Sequence, residues 1–112
     1  IDIVQRVTAN KLKKEIKKEN LAIFDVRKSS EFISEHIPYA ENTPLDLIDK
    51  HMCEFPSQNP FYIHCAGGYR SVIAASILKS RGFHNLIDVK GGFTKIKENG
   101  IEISKNISPI KL

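Results

Sequence analysis

PFYIHCAGGYRSVIAASILKSRG, residues 60–82, places an unbroken apolar run, a glycine loop and a helical pattern in direct succession. PFYIHC (60–65) lacks the polar alternation of a half-exposed strand, so it predicts a strand buried on both faces. From Ser71 to Gly82 the spacing changes to that of a helix, with Val72, Ala75, Ile77 and Leu78 expected to face inward. Lys79 and Arg81 fall in its last turn, and Gly82 is placed to stop it. A doubly buried strand feeding a helix through a short loop is half of a parallel βαβ unit.

The rest of the chain repeats this grammar. Ile1 to Val7 reads as an opening strand, and Thr8 as the cap of a helix to about Lys18 with Leu12 and Ile16 four residues apart. LAIFDV (21–26) is a second doubly buried strand. Ser29 or Ser30 is expected to cap a short turn over EFISE, and HIPYA (36–40) to make a tight bend. Thr43-Pro44 reads as a cap followed by proline at the first helical position, opening a helix through Leu47 and Ile48 to about Cys53. NLIDV (85–89) is another strand, GGF (91–93) a turn and TKIKENG (94–100) a last helix. The expectation is an α/β domain with a mostly parallel sheet of about five strands and helices on both faces. Ligands of such sheets bind beyond the carboxyl ends of the strands, where Asp25, Arg27 and Cys65 all fall.

At 112 residues the chain is long enough for one core, so residues 1–112 are read as one domain. It opens on Ile1 rather than Met, as expected of a domain excised from a longer chain. The net charge of +4 raises the question of nucleic acid. Much of the lysine lies in KLKKEIKKEN (11–20), where Lys11–Glu15 and Glu15–Lys18 have helical pairing distance and no stacking aromatics intervene. That describes a solvated face rather than a nucleic-acid stripe. No apolar run nears the roughly 20 residues of a membrane span. Two cysteines, Cys53 and Cys65, are too few for a disulfide framework, which points to a reduced, cytoplasmic protein.

Cys65 opens a loop, Ala66-Gly67-Gly68-Tyr69, that runs into Arg70 and a helix. Backbone N–H groups at a helix N-terminus favour negative charge, so a thiol at the centre is expected to be held as thiolate. Gly67 and Gly68 can adopt backbone angles that a ring around one sulfur requires. Arg70 would close the ring as a forked donor to an oxyanion. One nucleophile in one anion nest is the reactive reading; a buried cysteine packed as a small hydrophobe is the bland one.

These residues carry a resemblance. CAGGYRS (65–71) resembles the active-site loop of rhodanese-homology domains, single-domain sulfurtransferases. FDVRKSSEFISEHIPYAENTPL (24–45) and DVKGGF (88–93) resemble two further signatures of that family, in the same order. HCAGGYRS together with IDVKGGF is also similar to the rhodanese module fused behind metallo-β-lactamase-fold persulfide dioxygenases, so an upstream domain of that fold is an implied partner. The resemblance implies a rhodanese-like fold and sulfur transfer without an organic cofactor. Cys65 would take the outer sulfur of a small anionic donor, thiosulfate or glutathione persulfide, and pass it to a thiol acceptor. Ala66, Gly67, Gly68, Tyr69 and Arg70 would bind the substrate, with Asp25, Arg27 and Ser71 in support.

Cysteine phosphatases and arsenate reductases share the histidine-cysteine pair, loop and arginine, but their loops resemble ones with five residues before the arginine. Here Ala66 to Tyr69 leave a smaller ring, suited to one sulfur atom. A binding module using the fold without turnover is a further alternative. Two departures stand out from the family pattern. Ala66 replaces a position often polar or basic, leaving Arg70 as the loop's one charged side chain and favouring persulfide donors over thiosulfate. Tyr39 replaces the usual glycine after His36-Ile37-Pro38 and puts the shape of that bend in question.

Arg27 is expected to pair with Glu31, fixing the loop edge with Asp25. His64 precedes the nucleophile on a strand, so its side chain should point to the opposite face and be a poor base for Cys65. His36 is read as a bend residue, His51 and His84 as isolated, and no histidine pair has metal-ligand spacing. Packing is the first explanation for Cys53, a resolving thiol the second. Tyr69 could border the entrance to the site and Phe93 its wall.

Overall fold

The computed structural model describes residues 4–18 and 21–105, so residues 1–3 of the opening strand lie outside it. Among the described residues eleven strands and α-helices follow one another: β1 (Gln5–Val7), α1 (Ala9–Lys18), β2 (Ile23–Asp25), α2 (Ser29–Ser34), β3 (Glu35–His36), β4 (Glu41–Asn42), β5 (Phe61–His64), α3 (Arg70–Ser80), β6 (Leu86–Val89), α4 (Gly92–Glu98) and β7 (Ser104–Lys105). Five strands make one sheet in the order β1-β6-β5-β2-β4, every pairing parallel. β3 and β7 form a separate antiparallel ribbon.

Successive residues of each strand point to opposite faces, and the core divides accordingly. Ile23, Tyr62, Ile87 and Val89 pack with Ala9 and Leu12 of α1 and with Phe93 and Ile96 of α4. Phe24, Phe61, Ile63 and Leu86 pack with Ala74, Ala75 and Leu78 of α3, and Cys65 belongs to this second face. The apolar runs on β2 and β5 follow from their central places in the sheet. Every residue of each is buried.

Local signals explain most boundaries. Thr8 Oγ1 accepts the N–H of Lys11 at 3.1 Å, capping α1, and Lys18 pairs with Glu15 at 3.5 Å on its solvated face. Gly82 ends α3, its N–H donating to Lys79 O while that of Phe83 donates to Leu78 O.

Three expectations are corrected. The helix expected over 44–53 is two 3-10 turns, Leu45–Leu47 and Met52–Glu54, because Pro44 holds an extended ψ of 140° and the apolar positions here have no helical repeat. Neither Ser29 nor Ser30 caps α2: the cap is Lys28, whose N–H is received by the Glu31 carboxylate at 2.9 Å. Val72 faces outward, since Ser71, Ala74, Ala75 and Leu78 form the buried stripe of α3.

The bend at 36–40 keeps its tight geometry despite Tyr39. Ala40 N–H donates to Ile37 O at 3.1 Å, and Tyr39 stands at φ 70° with its ring 98% exposed. A left-handed tyrosine that makes no packing contact is a cost, so Tyr39→Gly is expected to stabilise the domain by about 0.5–1 kcal/mol. A thermal melt should show a rise of about 4 °C. An unchanged or lower midpoint would mean that the turn tolerates the side chain without strain.

Candidate active site

From β2 the chain leaves toward β4 on one side of the sheet, and from β5 it leaves through α3 toward β6 on the other. The carboxyl ends of these two strands therefore mark the point where the strand order reverses, the place where open parallel sheets bind ligands. Cys65 is the first residue past β5, and Val26 N–H donates to His64 O across the same end at 3.0 Å.

The Cys65 side chain is buried, its sulfur 3.1 Å from the Gly68 nitrogen, whose N–H donates to it. Ser71 Oγ, fully buried at the start of α3, stands 3.6 Å from the same sulfur. Gly68 takes φ 105°, as a loop folded back on one atom requires; Gly67 does not adopt a left-handed angle, contrary to expectation. Tyr69 points into solvent at 84% exposure.

The loop is fixed from behind by α4. Phe93 N–H donates to Cys65 O at 2.6 Å and Thr94 N–H to Ala66 O at 3.1 Å, with Thr94 Oγ1 on the same carbonyl at 3.2 Å. The first N–H groups of α4 thus satisfy loop carbonyls. In a trans peptide the N–H points opposite to the C=O, so the N–H groups of Ala66 and Gly67 are turned away from α4. Gly92 makes this docking possible, because a Cβ there would lie 2.4 Å from Cys65 O.

Asp25 and Arg27 form a buried unit beside the loop. Arg27 Nη2 lies 2.7 Å from Asp25 Oδ2, Nε donates to the same carboxylate, and Nη2 also donates to Glu35 O at 2.6 Å. Its guanidinium carbon sits 4.0 Å above the centre of the Phe93 ring, so Phe93 is the floor under an arginine. The expected Arg27–Glu31 pair is absent. Asp25, two residues away on the strand end, takes Arg27 instead, and Glu31 binds Arg70 through both oxygens, at 2.8 and 3.1 Å. That pair pulls the Glu31 carboxyl from 4.5 down to about 2, chiefly through the Arg70 hydrogen bond, and raises Arg70 in turn. Arg70 is therefore already engaged by a carboxylate.

His64 is buried on the face opposite Cys65. Its Nδ1 lies 3.2 Å from Cys65 O, an acceptor only, so Nδ1 carries the proton, and burial lowers the ring's pKa against the pull of Asp25. It touches the backbone of Cys65, not its sulfur. His36 Nδ1 meets Phe32 O at 2.7 Å, consistent with a bend residue, and His51 pairs with Glu54 rather than standing alone. Cys53 is exposed, which removes packing as its explanation. Among the described residues no three His, Cys, Asp or Glu side chains gather at metal-ligand spacing. No helix among them is long and apolar enough to cross a membrane.

Local spacing singled out neither Arg70 as the partner of Glu31 nor Gly92 and Thr94 as the residues that dock α4 on the loop. The paired glycines at 91–92 were the available signal for close backbone approach.

A family profile described as rhodanese-like domain matches residues 8–99. The chain belongs to the rhodanese-like domain family. Thiosulfate sulfurtransferase GlpE of Pseudoalteromonas translucida is 35% identical over 77 residues, which cover 69% of this rhodanese-like domain and 73% of that protein. YrkF of Bacillus subtilis, a protein named for sulfur carriage, is 38% identical over 74 residues, or 66% of this chain. The match spans only 40% of YrkF, less than half its length. Among solved structures, a rhodanese-like domain protein from Staphylococcus aureus superimposes with a TM-score of 0.82 at 30% identity, covering 91% of this chain and 100% of that one.

Proposed function

We propose that this rhodanese-like domain is a sulfurtransferase in which Cys65 carries a sulfane sulfur as a persulfide. The supporting observation is the setting of one sulfur atom at the end of β5, with the Gly68 N–H donating to it and the Ser71 hydroxyl beside it. In the first half-reaction the Cys65 thiolate attacks the outer sulfur of the donor. The donor's S–S bond breaks, and its electron pair leaves with sulfite from thiosulfate or with the thiolate of glutathione from its persulfide. In the second, an acceptor thiolate attacks the terminal sulfur, departs as a persulfide and restores the Cys65 thiolate. This is covalent, ping-pong catalysis. The Gly68 N–H and Ser71 hydroxyl stabilise charge on the sulfur, while Asp25 and Arg27 hold the loop edge in place.

The loop residues Ala66, Gly67, Gly68 and Tyr69 bring no cationic side chain, so persulfide donors are favoured over doubly charged thiosulfate. Intact mass after incubation with each donor tests the reading. Wild type and Cys53→Ser should gain one reducible sulfur atom, Cys65→Ser none. No adduct from either donor, or an adduct that survives in Cys65→Ser, would overturn it.

A further inference from the structure

Arg70 is the loop's one charged side chain, yet both of its terminal nitrogens are occupied. Nη1 reaches Glu31 Oε1 at 2.8 Å and Nη2 reaches Oε2 at 3.1 Å, so the fork that would suit a donor oxyanion is filled by a carboxylate of the chain itself. Glu31 is held in turn: Lys28 N–H donates to its Oε1 at 2.9 Å in the first turn of α2. The pair is about one-third exposed on each side, at the rim rather than in the core, so an arriving anion can compete for it. Arg70 closes the loop that Cys65 opens and begins α3, whose next residue, Ser71, stands 3.6 Å from the reacting sulfur.

We propose that Glu31 is a specificity-determining residue: by occupying Arg70 it leaves the loop with no available cation and places a carboxylate against dianionic sulfur donors. The inference rests on the sulfur-transfer reading and deepens it. A donor whose reacting end carries a single charge, such as the persulfide group of glutathione persulfide, needs only the Gly68 N–H and the small ring around Cys65. Thiosulfate, with two charges, has to displace Glu31 from Arg70 or accept its repulsion. Glu31 acts through Arg70, as a positioning residue. Because the Arg70 guanidinium holds the Glu31 carboxyl down at about 2, the latch is closed throughout the neutral range, and its effect should not vary with pH there.

Glu31→Gln separates the latch from the helix. The glutamine oxygen can still accept the Lys28 N–H, so α2 keeps its cap, but an amide group now faces the Arg70 fork and the bidentate pair is lost. The expected result is a fall of about tenfold in KM for thiosulfate with kcat changed less than about twofold, and little change in KM for glutathione persulfide. A purely structural role would raise KM or lower kcat for both donors alike; that result, or an unchanged KM for thiosulfate, overturns the proposal. Glu31→Asp, which keeps the charge but falls one methylene short, should lie between wild type and Glu31→Gln. It also provides the comparison if the glutamine variant folds poorly.

A titration without turnover keeps this test apart from the function itself. In a Cys65→Ser background, inorganic sulfate, a dianion with no transferable sulfur, is titrated while the backbone amide signals of residues 66–70 are followed by NMR. Tighter sulfate binding with Glu31→Gln than without it supports the latch; equal or weaker binding sinks it. Should the wild type load sulfur from neither donor, the proposed function fails, and the sulfate titration still decides the role of Glu31.

Discussion

Gly92→Ala is expected to lower stability by about 3 kcal/mol and the rate of sulfur loading on Cys65 by about 100-fold. The added Cβ would sit 2.4 Å from Cys65 O, 2.7 Å from Ala66 O and 2.8 Å from Ala66 C, all backbone atoms that no side-chain rotation can clear. Gly92 also stands at φ 58°, where a non-glycine residue is strained. Relief requires α4 to move off the loop, which breaks the bonds from Phe93 and Thr94 to the Cys65 and Ala66 carbonyls. The carbonyls would then be free to turn, and the loop that holds the Gly68 N–H on the sulfur would lose its fixed shape. Gly67→Ala is the matched control, since a Cβ there meets nothing within 4 Å. Its stability should stay within about 0.5 kcal/mol of wild type. Thermal melts and single-turnover loading measure both effects; wild-type behaviour of Gly92→Ala would show that the docking of α4 does not govern the loop.

Asp25→Ala is expected to be the more damaging change for the fold, at about 3–5 kcal/mol. Arg27 is 5% exposed and Asp25 fully buried, and the two meet through several charge-assisted bonds. Removing the carboxylate leaves a guanidinium buried against Phe93 with only the Glu35 carbonyl as a hydrogen-bond acceptor among the contacts described. It also removes the acceptor of the Arg27 N–H and the nearest anion to His64. Against a typical total of about 5–15 kcal/mol, this loss approaches unfolding at 37 °C. Asp25→Asn keeps an acceptor oxygen and should cost less, about 1–3 kcal/mol. Denaturant titration of the two variants separates the charge from the hydrogen bonds. Equal and small losses for both would mean that Arg27 finds water or another acceptor.

The parts of this architecture written in short-range sequence were legible. The runs 21–26 and 60–65 are apolar because β2 and β5 lie inside the sheet, and alternation of faces correctly sets His64 away from the Cys65 sulfur. Thr8 and Gly82 act where their chemistry suggests. Contacts of long sequence separation were not legible. Helical spacing offered Glu31 to Arg27, but the sheet brings Arg70, 39 positions away, to the same carboxylate, and Asp25 satisfies Arg27 locally. Thr43-Pro44 imitates a helix start that the following residues lack the periodicity to continue. The apolar character of Val72 suggests an inward place, but the close approach of α3 to the sheet is made by Ser71, Ala74 and Ala75 instead. The family motifs span Glu31 and Gly92 as well as the loop from Cys65 to Arg70, but they do not show that Glu31 pairs with Arg70 or that Gly92 lets α4 dock on the loop.

The clamp formed by α4 has a consequence for how this scaffold can change its substrate. The loop's opening carbonyls are tied to Phe93 and Thr94, Gly68 packs against Gly91, and Arg70 is anchored by Glu31 across on α2. The circumference of the ring around the sulfur is therefore fixed by anchors on two other helices. A residue inserted between Ala66 and Arg70, as a larger tetrahedral substrate would demand, cannot be absorbed by the loop alone. The anchors at 91–94 and at 31 would have to shift with it, so a change of chemistry here requires coordinated substitutions at three separated stretches of the chain.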